Sequence, residues 1–234
     1  MIANLLPWDS AFFGFPVGRV SASCEDEPDR EVLRLAVQGL DCKLTYVFLP
    51  SVCAGLELYR SALVALGGRL VDRRMTLRKC LLRESNVEDS EVAVATKITP
   101  DLEELAYASG WCSRFATEER LRPYFRPLYR RWLENDISFG RVFVRPGASG
   151  RLMGMTTVSV REGVGRIGLV AVDASYCRQG VATGLLQAAE RWLQTKGITE
   201  CHVVTQGLNV GGVALYKKCG YETLSVDEVW HIWR

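Results

Sequence analysis

Two rhythms of apolar and polar positions run along the 234-residue chain, and their alternation predicts an α/β protein. Apolar stretches of strand length fall at Leu44–Leu49 and Leu70–Leu81. Further along they recur at Val92–Ile98, Val142–Arg145, Leu152–Val160, Arg166–Val172, Glu200–Thr205 and Tyr221–Trp233. Helical spacing separates them. Pro28–Gly39 places Val32, Leu35 and Ala36 on one face, and Ala54–Leu66 is closed by Gly67-Gly68. Thr99-Pro100-Asp101 opens a helix with a hydroxyl cap, a proline and an acid near the positive end of the dipole. Pro123 and Pro127 interrupt the next stretch, after which Leu128/Trp132 and Tyr129/Leu133 pair across one turn and predict a helix over Leu128–Asn135. Val181–Lys196 is a longer amphipathic helix, Val210–Cys219 a short one. The aromatic opening Pro7–Pro16 and the segment Trp111–Thr117 read as loops.

The polar, acidic stretch Glu84–Glu91 is the natural linker, which divides the chain into an N-terminal α/β domain over 1–90 and a second domain over 91–234. A faint echo joins the halves: Leu66-Gly67-Gly68-Arg69-Leu70 and Cys219-Gly220-Tyr221-Glu222-Thr223 both read helix, glycine cap, strand. A degenerate tandem copy and ordinary α/β punctuation account for this equally well.

Composition narrows the function. A net charge of +2 gives no general attraction to nucleic acid or to a membrane surface. No apolar run approaches the roughly 20 residues that span a bilayer, and the first residues lack a basic segment before an apolar one, so a cytoplasmic protein is expected. The 8 cysteines form no CxxC and only 2 histidines accompany them, so the expectation is reduced thiols and no metal site.

The candidate chemistry lies at the apolar strand ending in Leu169-Val170-Ala171-Val172, the polar loop Asp173–Gly180 and the helix that follows. Gly180 and Ala182 let a ligand approach the free amides at the helix start, where the dipole favours an anion; small residues there also serve plain close packing. Arg178 could add a charge and Thr183 a hydroxyl. The loop is neither a nucleoside-triphosphate loop nor a dinucleotide fingerprint. Downstream, Asn209 precedes a helix on which Tyr216 lies two turns later and can face the same side.

Together the two segments resemble the Gcn5-related N-acetyltransferase (GNAT) superfamily, over about Val164–Gly220 and, by order of elements, over most of Val92–Arg234. Its motif (Gln/Arg)-x-x-Gly-x-(Gly/Ala), then Asn-x-x-Ala-x-x-Leu-Tyr-x-x-x-Gly-(Phe/Tyr), is met by Gly180, Ala182, Asn209, Leu215, Tyr216, Gly220 and Tyr221. Cys177 and Gly212 depart from it. The resemblance implies a mixed, twisted sheet between helices and acetyl-CoA as co-substrate. It implies that the diphosphate rests on Arg178, Gln179, Gly180, Val181, Ala182 and Thr183, with the pantetheine arm along Val170 and Val172 and Asn209 and Tyr216 nearby. The amine would attack the thioester directly, an amide near Val172 would take up the developing oxyanion, and Tyr216 would return a proton to the thiolate. With reference values of about 8.5 for a thiol and about 10 for a phenol, that last transfer is uphill by about 1.5 units. No base stands out among Asp173, Glu162 and His202, which leaves a water-mediated route.

The opening Trp8–Gly14, the triplet Ser113-Arg114-Phe115 and Leu128-Tyr129…Trp132-Leu133-x-Asn135 resemble the dTDP-fucosamine acetyltransferase group. This implies a dTDP-linked 4-amino-dideoxy sugar as acceptor for surface polysaccharide, with Arg114 for the pyrophosphate and Phe115 or Tyr129 as a flat surface for the base. The many arginines of Trp111–Arg131 favour an anionic acceptor over a peptide, lysine, polyamine or antibiotic amine. A non-catalytic acyl-CoA sensor is the reading of another class, and Tyr216 counts against it. One CoA site per chain is expected, and the strand Tyr221–Trp233 offers an edge for pairing across a homodimer.

Overall fold

A computed structural model of the chain describes residues 1–81, 91–148 and 150–234. The chain alternates strands and helices and divides into two compact units. One unit comprises 1–75, 206–208 and 225–234, the other 76–205 and 209–224. The expected linker lies almost wholly outside the described residues. The unit boundaries also differ from a cut at 90/91: the chain's last ten residues join the first unit, and residues 76–81 join the second.

The first unit holds β1 (Ile2–Leu5), α1 (Pro7–Phe13), β2 (Val17–Ser21), α2 (Arg30–Gln38), β3 (Leu44–Pro50), α3 (Leu56–Ala65), the start of β4 (Arg69–Cys80) and most of the last strand, β10 (Glu222–Trp233). β2 and β3 run parallel, while β1 and β10 flank them antiparallel. The strand β3 is buried along nearly its whole length because α2 and α3 join its flanking strands in covering it. Leu33, Val37, Tyr59 and Leu63 from the helices meet Val20, Val47, Leu49, Trp230 and Ile232 from the strands. The expected aromatic loop at 7–16 is instead a helix: Pro7 suits a first turn, and Gly14 at φ 75° closes it. Its rings build a ladder within this unit, Trp8 stacked on Phe12 at 5.4 Å, then Phe13, Phe15 and Trp233.

The second unit holds β5 (Ala93–Ala95), α4 (Pro100–Ser109), α5 (Arg114–Thr117), α6 (Phe125–Phe139), β6 (Arg141–Pro146), β7 (Leu152–Arg161), β8 (Val164–Val172), α7 (Val181–Thr195), β9 (Glu200–Gln206, through Thr205) and α8 (Val210–Lys218). Strands β5 to β8 form an antiparallel meander, and β9 joins β8 in parallel, giving a mixed sheet. Helix α4 is capped by Thr99, whose hydroxyl accepts from Leu102 N–H at 3.3 Å. Pro127 does not interrupt α6; it sits in the first turn, where its missing N–H has no helical partner to lose. Trp111–Thr117 contains the single-turn helix α5 rather than loop alone. Glycines on β7 and β8 let α7 lie close to the sheet. A Cβ on Gly165 would stand 2.4 Å from Leu193 Cδ1, and one on Gly154 would stand 3.0 Å from Val181 Cγ1.

Candidate functional site

The site begins with an interruption of the sheet. β8 pairs with β9 only through Gly165, Arg166 and Ile167, opposite Cys201, His202 and Val203, yet β8 continues to Val172. Opposite β7 the register slips between Thr156 and Val158, so Gly168 and Leu169 together face the single residue Thr157. This bulge is pinned by a side chain: Leu169 N–H donates to Thr157 Oγ1 at 2.9 Å, in place of a ladder bond. Beyond the bulge, Gly168 is exposed, and Val170 and Val172 are half-buried on an edge that β9 does not cover. An extended ligand can pair there as a strand would.

Past β8, Asp173 caps a single 3-10 turn by accepting from Ser175 N–H at 2.9 Å. These bonds with Ser175 hold its carboxyl below the usual aspartate range, which makes it a poor base. The chain then turns through two left-handed residues, Arg178 at φ 65° and Gly180 at φ 81°. Turns of this kind curl successive amides toward an anion. A Cβ on Gly180 would meet nothing within 4 Å, so glycine is required here for its backbone angle and not for packing. Gly184 N–H makes the first helical bond, to Gly180 C=O at 3.0 Å. The amides of Val181, Ala182 and Thr183 therefore precede the helical ladder, and Gly180 has no side chain to cap them. Arg178, Gln179, Gly180 and Cys177 are exposed around this opening.

Asn209 caps α8: its Oδ1 accepts from Gly212 N–H at 3.0 Å, and its Nδ2 donates to Thr205 Oγ1 at 3.1 Å. A Cβ on Gly212 would stand 2.5 Å from Asn209 Nδ2, which is why glycine occupies that position. Tyr216 is buried on α8 and set edge-on to Tyr221 at 6.0 Å. Burial, with the neighbouring Cys219, drives its pKa well above that of a free phenol, so the hydroxyl keeps its proton. Cys219 in turn hydrogen-bonds to the Thr183 hydroxyl. His202 is held at both nitrogens, Nε2 to Glu200 Oε1 at 2.5 Å and Nδ1 to Arg166 Nη1 at 3.1 Å.

The segment expected to read the acceptor is more neutral than its composition. Arg130 pairs with Glu103 at 2.8 Å and with Glu134, Arg131 pairs with Glu134, and Arg126 pairs with Glu104 and covers Tyr107. Arg114 lies over the Phe115 ring at 4.4 Å. Phe115 and Tyr129 are only 7% and 4% exposed, so neither presents a face to a base. Phe115 packs edge-on against Trp132, and Tyr129 packs on Gly110, where a side chain could not fit. The exposed aromatic residue of this segment is Trp111. Asp136 escaped the sequence reading; its carboxyl accepts from the Thr157 hydroxyl beside the bulge. No local motif announces it. The only hint is an acid in the last turn of a helix, where the dipole disfavours negative charge.

Comparison with known proteins agrees with this geometry. Residues 106–221 match the model of the Acetyltransferase (GNAT) family. A comparison with curated proteins gives no match. Among solved structures, a GCN5-related N-acetyltransferase from Sphaerobacter thermophilus superposes at TM-score 0.65 and 15% identity, covering 99% of this chain and 76% of that one. A tandem GNAT protein from the clavulanic acid biosynthesis pathway gives 0.54 and 18%, covering 93% and 75%. A GCN5-related N-acetyltransferase from Kribbella flavida gives 0.53 and 16%, covering 93% and 81%. At these identities the likeness is one of fold. Residues 106–221, with the open helix start and the parted strands they contain, are the part of the chain that matches the GNAT family of acetyltransferases.

Proposed function

We propose that this acetyltransferase moves an acetyl group from acetyl-CoA to a primary amine in one direct step. The observation that carries this reading is the uncovered edge Gly168–Val172 leading to the unpaired amides at the start of α7. Those amides, on Arg178, Gln179, Gly180, Val181, Ala182 and Thr183, suit the diphosphate, and the edge at Val170 and Val172 suits the amide-rich pantetheine arm. The amine lone pair forms the C–N bond, a β8 amide stabilises the carbonyl oxygen, and the C–S electrons leave with sulfur. Tyr216, kept protonated by burial, donates to that sulfur.

The acceptor we infer is a dTDP-linked 4-amino-dideoxy sugar. Support comes from the sequence resemblance at Trp8–Gly14, Ser113–Phe115 and Leu128–Asn135, and from the exposed Arg122. Because Phe115 and Tyr129 are buried, we assign the thymine surface to exposed Trp111 and keep Arg114 for the pyrophosphate. A second acceptor class, a cationic amine, is favoured by the pairing of Arg126, Arg130 and Arg131 with carboxylates. An assay for free CoA across dTDP-4-amino-4,6-dideoxygalactose, spermidine and a lysine peptide decides between them. Release with the sugar alone is expected, and release with spermidine alone would overturn the sugar assignment. We also infer that 1–90 is a degenerate half of the same fold, which fits the coverage of the tandem GNAT protein.

A further inference from the structure

We propose that Asp136 is the base that takes the proton from the attacking amine, a role that rests on the acetyl-transfer reading above. The argument starts from the bulge. Gly168 sits where β9 leaves β8, and it is exposed. A Cβ built there would stand 2.4 Å from Thr157 Oγ1 and 3.3 Å from Asp136 Oδ2. Any side chain at 168 would thus cover the carboxylate, and glycine leaves it reachable from the opening between the strands. The reacting carbonyl would lie along this same edge, two to four residues further on.

The carboxylate is oriented through a relay. Leu169 N–H donates to Thr157 Oγ1, and the Thr157 hydroxyl donates to Asp136. The bulge that opens the edge and the group that would receive the proton are therefore fixed by one threonine. The rival bases are otherwise engaged: Asp173 caps its turn, His202 is bound at both nitrogens, and Glu162 stands at the exposed tip of the β7–β8 turn. Burial raises the pKa of Asp136, opposed by the Thr157 hydrogen bond and by Arg161 on β7, the charged group that faces it. A carboxylate so placed is a better proton acceptor than a free one. In the balanced step, the amine nitrogen bonds to the carbonyl carbon and its proton passes along water in the opening between the strands to Asp136 Oδ2. The C–S bond breaks, Tyr216 protonates the thiolate, and solvent resets both groups.

The test measures Asp136→Asn and Asp136→Glu beside the wild type, with free CoA release read from about pH 5 to 9 and acetyl-CoA affinity read by calorimetry. The acceptor is whichever of dTDP-4-amino-4,6-dideoxygalactose and spermidine the wild type turns over. We expect Asp136→Asn to lose about 100-fold or more in kcat, to keep its acetyl-CoA affinity and to lose the acid limb of the pH profile. Asp136→Glu should recover part of the rate. If Asp136→Asn does not fold, Asp136→Ser takes its place. A variant that turns over normally with the same acid limb overturns the role of Asp136 while leaving the acetyl-transfer reading intact. A wild type that binds acetyl-CoA but releases no CoA with either acceptor sinks both.

Discussion

Tyr216 and Asp136 are two acids whose burial pushes both pKa values upward, and the proposed mechanism puts them at opposite ends of one reaction. Reference values alone put the phenol about 1.5 units above a thiol; burial raises the phenol further, which keeps its proton in place and makes a transfer to a thiolate more uphill. Replacing Tyr216 with Phe should lower kcat by about 100-fold and leave acetyl-CoA affinity unchanged in calorimetry; equal turnover would remove the hydroxyl from the mechanism. Arg114→Ala should weaken a dTDP-sugar several-fold more than acetyl-CoA, as read from the two KM values; equal weakening would assign Arg114 to packing on Phe115. For Asp136, the folded pKa is raised, so its ionised form counts against the fold. Stability is then full below the ordinary aspartate value of about 3.9 and declines as pH rises through the higher, folded value. Asp136→Asn should therefore melt higher than wild type at pH 8, with the gap closing toward pH 4. A fixed gap would mean that the carboxylate is not strained by its burial.

The elements show where local sequence suffices. Helix α7 is legible because apolar spacing, a leading glycine and a trailing Lys196-Gly197 all agree, and Gly197 indeed takes a left-handed φ of 71°. Its open start implies that Gly180→Glu abolishes acetyl-CoA binding, because the strained φ, the bulk and the charge all oppose the diphosphate; normal affinity in calorimetry would remove that loop from the site. Helix α1 and strands β1 and β2 escaped the sequence reading because they are short. Strand β1 is exposed throughout although Ile2, Ala3 and Leu5 are apolar, and its register comes from backbone pairing with β2. The glycine caps at Gly67 and Gly220 are real left-handed turns, at φ 75° and 85°.

At the scale of the whole molecule, the last strand reaches the first unit's core through a buried charge. Glu228 is 1% exposed and bonds Arg60 through both guanidinium and carboxylate atoms, with Trp230 Nε1 donating at 3.1 Å. Arg60, before the other partners, holds the Glu228 carboxyl below the usual glutamate range. A lowered folded pKa means stability that is present above the unfolded value, about 4.3, and is lost as pH falls through the folded one. Glu228→Gln should cost roughly 2 kcal/mol near pH 7 and much less in acid, measured by denaturant unfolding. An equal loss at both pH values would assign the effect to shape rather than charge. The assignment of residues 225–234 to the first unit was not legible in the sequence, because it comes through pairing with β3, a contact between segments far apart in the chain.

The left-handed turn before α7, the order of elements and the place of Tyr216 two turns after its cap could be read directly from the chain. Each depends on neighbours a few residues apart: a glycine at a left-handed angle, an apolar stripe, a cap two turns before a phenol. Tertiary structure alone decided that Phe115 and Tyr129 are buried, that three arginines of Trp111–Arg131 are paired with carboxylates, and that Asp136 meets Thr157 beside the exposed glycine of β8. Those outcomes depend on burial and on pairings between distant segments. A side chain's charge state and reach are set by what the fold places against it, and local spacing carries no record of that.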